Sequence, residues 1–239
     1  MSQETGKADA ELGRRRTADG ENRLPPAAAV LVALAAYAAL PDGLLFLPRF
    51  VVPSIELLLF VALVVTNPRR MTRETRWSRA ASMVLAALVI VTNTASLGLL
   101  VSQLSSSSAS GGNLLLAAMQ IFVTNVIGFG LLFWELDRGG PVARHSRRRD
   151  AMPAADWRFS QDENDDAVSE VSRTASKTSG WVPIFLDYLY LSLTNSSAFS
   201  PTDTMPLTNR AKILMATEAT VALLTSLLLV ARAVGSLGS

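Results

Sequence analysis

The sequence predicts an all-α fold, a polytopic transmembrane helical bundle of about six helices with both termini on the cytoplasmic side. Three observations predict it. Hydrophobic residues make up 49% of the 239 residues and charged residues only 18%, below the roughly 25% of an average globular chain. The charges crowd between uncharged apolar runs, which have about the length that a ~30 Å hydrocarbon core demands of a helix rising 1.5 Å per residue. Arginine and lysine also gather in alternate polar segments, as the positive-inside rule requires of a multi-pass protein.

Residues 1–25 are polar and carry the basic run Arg14–Arg16; a disordered cytoplasmic tail is expected. Four helices are expected over 26–136. The first apolar run, Ala27–Leu40, is Ala-rich and ends at Pro41-Asp42-Gly43. A basic region before a short apolar run also fits a signal segment, but the second run follows almost at once. That run, Phe50–Thr66, stops at Asn67-Pro68-Arg69-Arg70. The third, Ala80–Leu104, follows a loop holding Arg69, Arg70, Arg73, Arg76 and Arg79, and the fourth, Leu114–Trp134, follows the uncharged loop Ser105–Gly112. Trp77, Trp134 and Trp181 fall at run boundaries, where the amphipathic indole prefers to lie.

Residues 137–180 carry Arg138, Arg144 and Arg147–Arg149, then the acidic patch Asp162–Asp166. With few aliphatic residues, this segment reads as a disordered cytoplasmic loop, either a linker or a partner-binding stretch. Residues 181–235 hold a fifth run, Val182–Ala198, and a sixth, Ile213–Val234. A full crossing by the fifth run, or a re-entrant course entered from the outer side, puts Ala198–Thr208 at the outer face, with Arg210 and Lys212 as outer charges beside Arg49.

Ionisable groups inside spans are costly and therefore functional candidates. Glu56 and Glu218 are expected at similar depth below the outer surface, where they could hold a cation together or share a proton. The plainer reading is a protonated carboxyl or a bond to a neighbouring helix. Asn93 and Thr94 match Thr124 and Asn125 in depth, and Gln120 shares a face with Thr124; such groups commonly tie transmembrane helices together. Gly128 and Gly130 would admit a close neighbour. Asp187 lies near a helix start, where the helix dipole favours a carboxylate.

Several classes are disfavoured. There is no cysteine, which excludes disulfides and thiolate chemistry. No HExxH, Walker loop, GxSxG or GxGxxG is present, and the single histidine, His145, sits among arginines. An enzyme, a cofactor or a metal centre is not expected. Nucleic-acid binding would rest on Arg147–Arg149, which the positive-inside rule already explains.

Phe185–Thr208 reads FLDYLYLSLTNSSAFSPTDTMPLT. It resembles the pore module of two-helix potassium channels: Phe185, Asp187, Tyr190 and Ser192 fall on pore-helix positions, and Asp203, Pro206 and Thr208 on the D-x-x-P-x-T after the filter. The filter positions hold Ala198, Phe199, Ser200, Pro201 and Thr202. Without glycines, and with Pro201 fixing its own backbone, the usual column of carbonyls cannot form. Leu40-Pro41, Pro48–Phe50, Pro53 and Glu56, the run ELDRGGP at Glu135–Pro141, and Tyr188–Thr208 together resemble a group of bacterial polytopic membrane proteins of unassigned activity. Members of that group often carry Gln where Glu218 stands, which lessens the weight on a charge there. The resemblance implies a multi-pass protein of the bacterial inner membrane.

The function expected from these features is channel-like ion permeation without a conventional potassium filter. Ser196, Ser200, Thr202, Asp203 and Thr204 would line an outer vestibule in a homo-oligomer, with a small cation as the permeant and the lipid bilayer as surroundings. Two alternatives stand beside it. One is a small-solute transporter using Glu56, Asn93, Asn125 and Glu218; the other is a scaffold that offers 137–180 to a partner.

Overall fold

The computed structural model describes residues 20–66, 70–72, 75–103, 111–163, 167–198 and 203–237. The chain is mostly helical. Helix α1 (Leu24–Ala38) opens on Pro25 and Pro26, positions where a missing N–H costs nothing. It is followed by α2 (Val51–Thr66), α3 (Arg76–Gln103) and α4 (Gly111–Leu136). Thr75 and Ser78 start α3 with reciprocal bonds, the Ser78 amide donating to Thr75 Oγ1 and the Thr75 amide to Ser78 Oγ, both at 3.0 Å. This exchange satisfies two amides that the helix itself cannot. The polar segment contributes the short helices α5 (Pro141–Ser146), α6 (Ser169–Ser172) and α7 (Ser176–Ser179). The apolar helices resume with α8 (Phe185–Ala198) and end with α9 (Asn209–Leu237). By length and composition, α3, α4 and α9 could each cross a membrane.

Close contacts fix the register of this bundle. A Cβ on Gly128 of α4 would stand 2.9 Å from Ile90 Cγ1 of α3, and one on Gly130 would stand 3.3 Å from the Leu189 Cα of α8. The two glycines foreseen as close-approach points therefore serve two different neighbours. Antiparallel to α4 on both sides, α3 pairs residue 128 with 89–90, and α8 pairs 130 with 188–189.

Two ends of the bundle differ sharply. At one, strand β1 (Glu21–Asn22) pairs with β2 (Arg70–Met71), and β3 (Trp157–Arg158) pairs with β4 (Met205–Pro206), both antiparallel. Around them pack Trp134, Trp157, Phe159, Phe185 and Tyr188. We call this the basic end, because Arg70, Arg76, Arg79 and the arginines of 138–158 belong to it. At the other end, Tyr37, Leu40, Leu44, Val52, Leu97, Leu100 and Leu114 form an aliphatic cluster.

Three expectations are corrected here. The fifth run does not traverse the bundle. Phe185 starts at the basic end and α8 descends beside α4, but Met205 and Pro206 are back at the basic end, paired with Trp157 and Arg158. The chain thus dips and returns, because Leu207 donates to the Asp156 carbonyl at 2.7 Å and Arg210 binds the Asp156 carboxylate. Residues 203–208 consequently lie with the polar segment, not across the bundle from it. It also follows that α9 runs away from the basic end, so Glu21 and the end of α9 sit at opposite ends rather than together.

The third correction concerns order. Residues 137–163 are folded onto the helix ends: Trp157 and Asp156 are completely buried, and Ala175 is as well. Aromatic packing of Trp157 on Phe133, at 4.7 Å between ring centroids, supplies the apolar burial that few aliphatic residues could. Within the expected tail, Gly20 and Glu21 are buried too, drawn in by the β1–β2 pairing; residues 1–19 are outside the described set.

Candidate functional site

The deepest polar group of the dipping segment lies at the end of α8. Glu218 of α9 is completely buried. Its Oε2 accepts a bond from Asn195 Nδ2 at 2.7 Å, and its Oε1 faces the hydroxyls of Ser192 and, at 3.2 Å, Ser196. These positions, 192, 195 and 196, recur at helical spacing and so share one face of α8. Asn195 also donates to the Met215 carbonyl at 3.0 Å, and Asn125 of α4 reaches the Glu218 carbonyl at 3.4 Å. Three helices therefore meet at Glu218, α8 at its carboxyl group and α4 at its backbone carbonyl.

Ser192 gives this network its chemical latitude. Its single hydroxyl hydrogen faces two acceptors, Glu218 Oε1 and, at 2.8 Å, the Val126 carbonyl. With a carboxylate at 218 the hydroxyl donates to it. With a carboxylic acid the acid donates to Ser192, which turns its hydrogen to Val126. Both forms are satisfied with no side chain displaced, and a glutamine at 218 would be accommodated as the acid is.

Further from the basic end, buried polar atoms lack partners. Among the described residues these include Asn93 Nδ2 and Ser96 Oγ on α3 and Gln120 Oε1 on α4. The α3–α4 register sets Asn93 level with Thr124 and Asn125, and Ser96 level with Gln120 and Ile121. Tyr37 lies in the cluster at the opposite end, within electrostatic range of the buried Glu56. Each orphaned atom costs about 1–3 kcal/mol unless water reaches it.

The basic end carries a second constellation, in which the carboxylates are all bonded and Arg144 alone keeps unbonded nitrogens, its Nη2 lying 3.8 Å from Glu21. Asp137, in the ELDRGGP run, accepts from the amides of Asp156 (2.7 Å) and Trp157 (3.4 Å) on Oδ1, and from Arg138 Nη1 (2.9 Å) and the Tyr188 hydroxyl on Oδ2. The backbone explains the motif: Arg138, Gly139 and Gly140 all have positive φ, 49°, 82° and 93°, a region that glycine enters without cost. This turn sends the chain back over Asp137. Arg144 is completely buried, donates to the carbonyls of Trp134 and Asp137 at 2.7 and 2.8 Å, and lies 4.9 Å above the Tyr188 ring.

Glu21 closes the constellation from the N-terminal side. It accepts Trp134 Nε1 at 3.0 Å and the Phe185 amide at 2.6 Å, so a residue far away in the chain caps the first turn of α8. Burial pushes its carboxyl up, against the opposing pull of Arg144. Thr208 caps α9 by accepting the Ala211 amide at 3.3 Å while donating to Asp156 at 2.6 Å. Asp187 accepts the Ile184 amide at 2.8 Å, consistent with its place at a helix start.

The expected site residues separate into groups. Asn125 and Glu218 meet, while Asn93 and Thr124 lie beside them at the same depth. Glu56 does not join Glu218: it sits near the start of α2 at the opposite end, whereas Glu218 hangs from the basic end. Thr94 is exposed and bonds its own helix at Ile90. Phe199, Ser200, Pro201 and Thr202 lie outside the described residues, as does the side chain of Ala198; Asp203 is exposed at the basic end. Glu21, Tyr37, Ser96, Asp156 and Asn195 went unnoticed in the sequence. Asn195 alone gave a signal, its spacing from Ser192 and Ser196. No family model, curated protein or solved structure matches the chain, so these groups are read from their own chemistry.

Proposed function

We propose that the protein is an integral membrane protein of five crossings and one re-entrant helix that lets a small cation pass along a polar track inside the bundle. Apolar surface turned outward supports the membrane setting: only 28% of the apolar window of α9 is buried, and Leu58, Val65, Ile213 and Val230 are all exposed. Helices α1 and α2 have 15 and 16 residues, short for a ~30 Å core, a mismatch that exposed Phe46 and Phe50 between them and local thinning of the bilayer would absorb.

The orientation rests on charge. With the basic end cytoplasmic, the arginines of 69–79 and 138–158 lie inside together with Arg210 and Lys212. Arg49 is left on the outer side, with Arg232 near the end of α9. This satisfies the positive-inside rule better than six crossings would.

The single observation that carries permeation is a run of polar groups inside the bundle, of which Asn93, Ser96 and Gln120 each hold an unbonded atom. From the tip of α8 it passes Glu218 and Asn125, then Asn93 and Thr124, then Ser96 and Gln120, and ends near Tyr37 and Glu56. Irregular or re-entrant chain at membrane depth is tolerated where it is buried in protein or lines a watered cavity, and orphaned polar atoms call for water. The groups along this track are oxygens, amides and two acids, and no lysine or arginine lies among them, which suits a cation. The scaffold reading loses ground, since 137–163 is committed to packing on the helix ends.

A proteoliposome flux assay with alkali cations and protons tests the proposal. Wild-type protein should carry current or flux above empty liposomes. Glu218→Leu and Gln120→Leu should each lower it about tenfold or more, the loss expected when a polar position in a watered track is made apolar, while Glu218→Gln should retain it. Wild-type flux equal to that of empty liposomes would remove the proposal.

A further inference from the structure

A cleft lies at the basic end between α1, α2, α3 and α4, roofed by α5. Val30, Phe60, Leu85 and Leu131 make its inner half apolar, while Arg23, Arg79 and Glu135 stand at its outer half beside Trp134, Ser78 and Ser82. From Arg79 to Leu85 along α3 the slot runs about 9 Å into the bundle at 1.5 Å per residue. Glu135 interacts electrostatically with Arg23, and the lining holds two cations to one anion.

We infer that this cleft binds an anionic phospholipid, with part of one acyl chain in the apolar slot and the phosphate at Arg23 and Arg79. The inference rests on the membrane reading above and on nothing in the permeation track. The order of groups matches the order in a leaflet: apolar depth, then Trp134 and the serines at interface level, then guanidinium groups where the headgroup lies. Zwitterionic headgroups would gain less, because their own ammonium competes with the arginines for the phosphate.

The test is native mass spectrometry of the full chain purified in detergent, with phosphatidylglycerol, phosphatidylcholine of the same chains, or inorganic phosphate added. Phosphatidylglycerol should be retained about tenfold better than phosphatidylcholine, a difference of ~1.4 kcal/mol. The double change Arg23→Gln and Arg79→Gln should erase that preference, while Arg23→Lys with Arg79→Lys keeps it. Leu85→Trp, which fills the slot, should lower retention of both lipids, with size-exclusion profiles checking that each variant remains folded. Equal retention of the two lipids, or a preference that survives loss of both arginines, would overturn the inference. So would displacement of the lipid by inorganic phosphate alone, which would make the cleft a plain anion site. Protein that stays monodisperse without detergent would instead remove the membrane reading itself.

Discussion

The basic end and the middle of the bundle bury polar groups in opposite ways. At the basic end the carboxylates Glu21, Asp137 and Asp156 each accept at least two hydrogen bonds, and Arg144 lies over the Tyr188 ring. In the middle, Asn93, Ser96 and Gln120 each leave a buried polar atom without a partner, whereas at the basic end the two open nitrogens of Arg144 lie against Glu21 and the Tyr188 ring. A fully bonded network is rigid and specifies one structure, whereas unbonded polar atoms call for water. The difference assigns the basic end to holding α8 in place and the middle to the proposed track. Glu218 belongs to both, since it fastens α8 to α9 and opens onto the track through Asn125.

Substitutions of the two kinds should therefore move stability in opposite directions. The largest effect is expected for Asp137→Ala, which removes the acceptor of four donors, leaves the Tyr188 hydroxyl without its partner and leaves Arg138 with Asp162 alone. A loss of about 3–5 kcal/mol follows from breaking a buried charged pair, or a fall of roughly 10 °C in Tm for a chain of this size. A thermal melt followed by size exclusion reads it directly. Gln120→Leu should do the reverse, raising Tm by a few degrees as an orphaned oxygen is removed while flux is lost. If Gln120→Leu destabilised as Asp137→Ala does, the contrast between the two regions would break.

A smaller effect is expected from pH. Burial holds the Glu21 carboxyl above its ordinary 4.5, so the folded state keeps a proton that the unfolded chain gives up. The stability this contributes is complete below pH 4.5 and is lost as pH rises through the raised folded value. Glu21→Gln keeps an acceptor for Phe185 and removes the titration, so its melting curves should decline less over that window than those of the wild type. Curves that remain parallel would separate Glu21 from the pH response. Smallest of all is Arg148→Ala, which breaks an exposed pair with Asp150 and should change stability by less than ~0.5 kcal/mol.

Much of this arrangement was legible in the sequence, but not evenly. Run lengths and turn residues located the helices, and the likeness of Phe185–Thr208 to a pore module pointed to a helix that dips and returns. The charges then misled. Arginines at 144–149 set the polar segment inside, and a crossing or a dip from outside would then put residues 198–208 on the opposite side, whereas a dip from the basic end keeps the two together. The positive-inside rule reads charge and not re-entry, and Arg210 and Lys212 fit better once both segments share an end. Order in 137–163 was hidden because its core is built from single aromatics, Trp157 and Phe159, and from carboxylates bonded to backbone amides. Composition registers such residues only as polar and sparse. Partners far apart in sequence, such as Glu21 and Phe185, leave no local pattern at all.

The re-entrant path of α8 is tested most directly by accessibility of single cysteines, since the chain has none of its own. Met205→Cys and Arg148→Cys at the exposed basic end, and Phe46→Cys at the exposed opposite end, would be probed with a membrane-impermeant maleimide in intact cells and in inverted vesicles. Positions 205 and 148 should react together, in inverted vesicles only, and position 46 in intact cells. Reaction of Met205→Cys from the side of Phe46→Cys would mean that α8 crosses the membrane, and the re-entrant reading would be wrong.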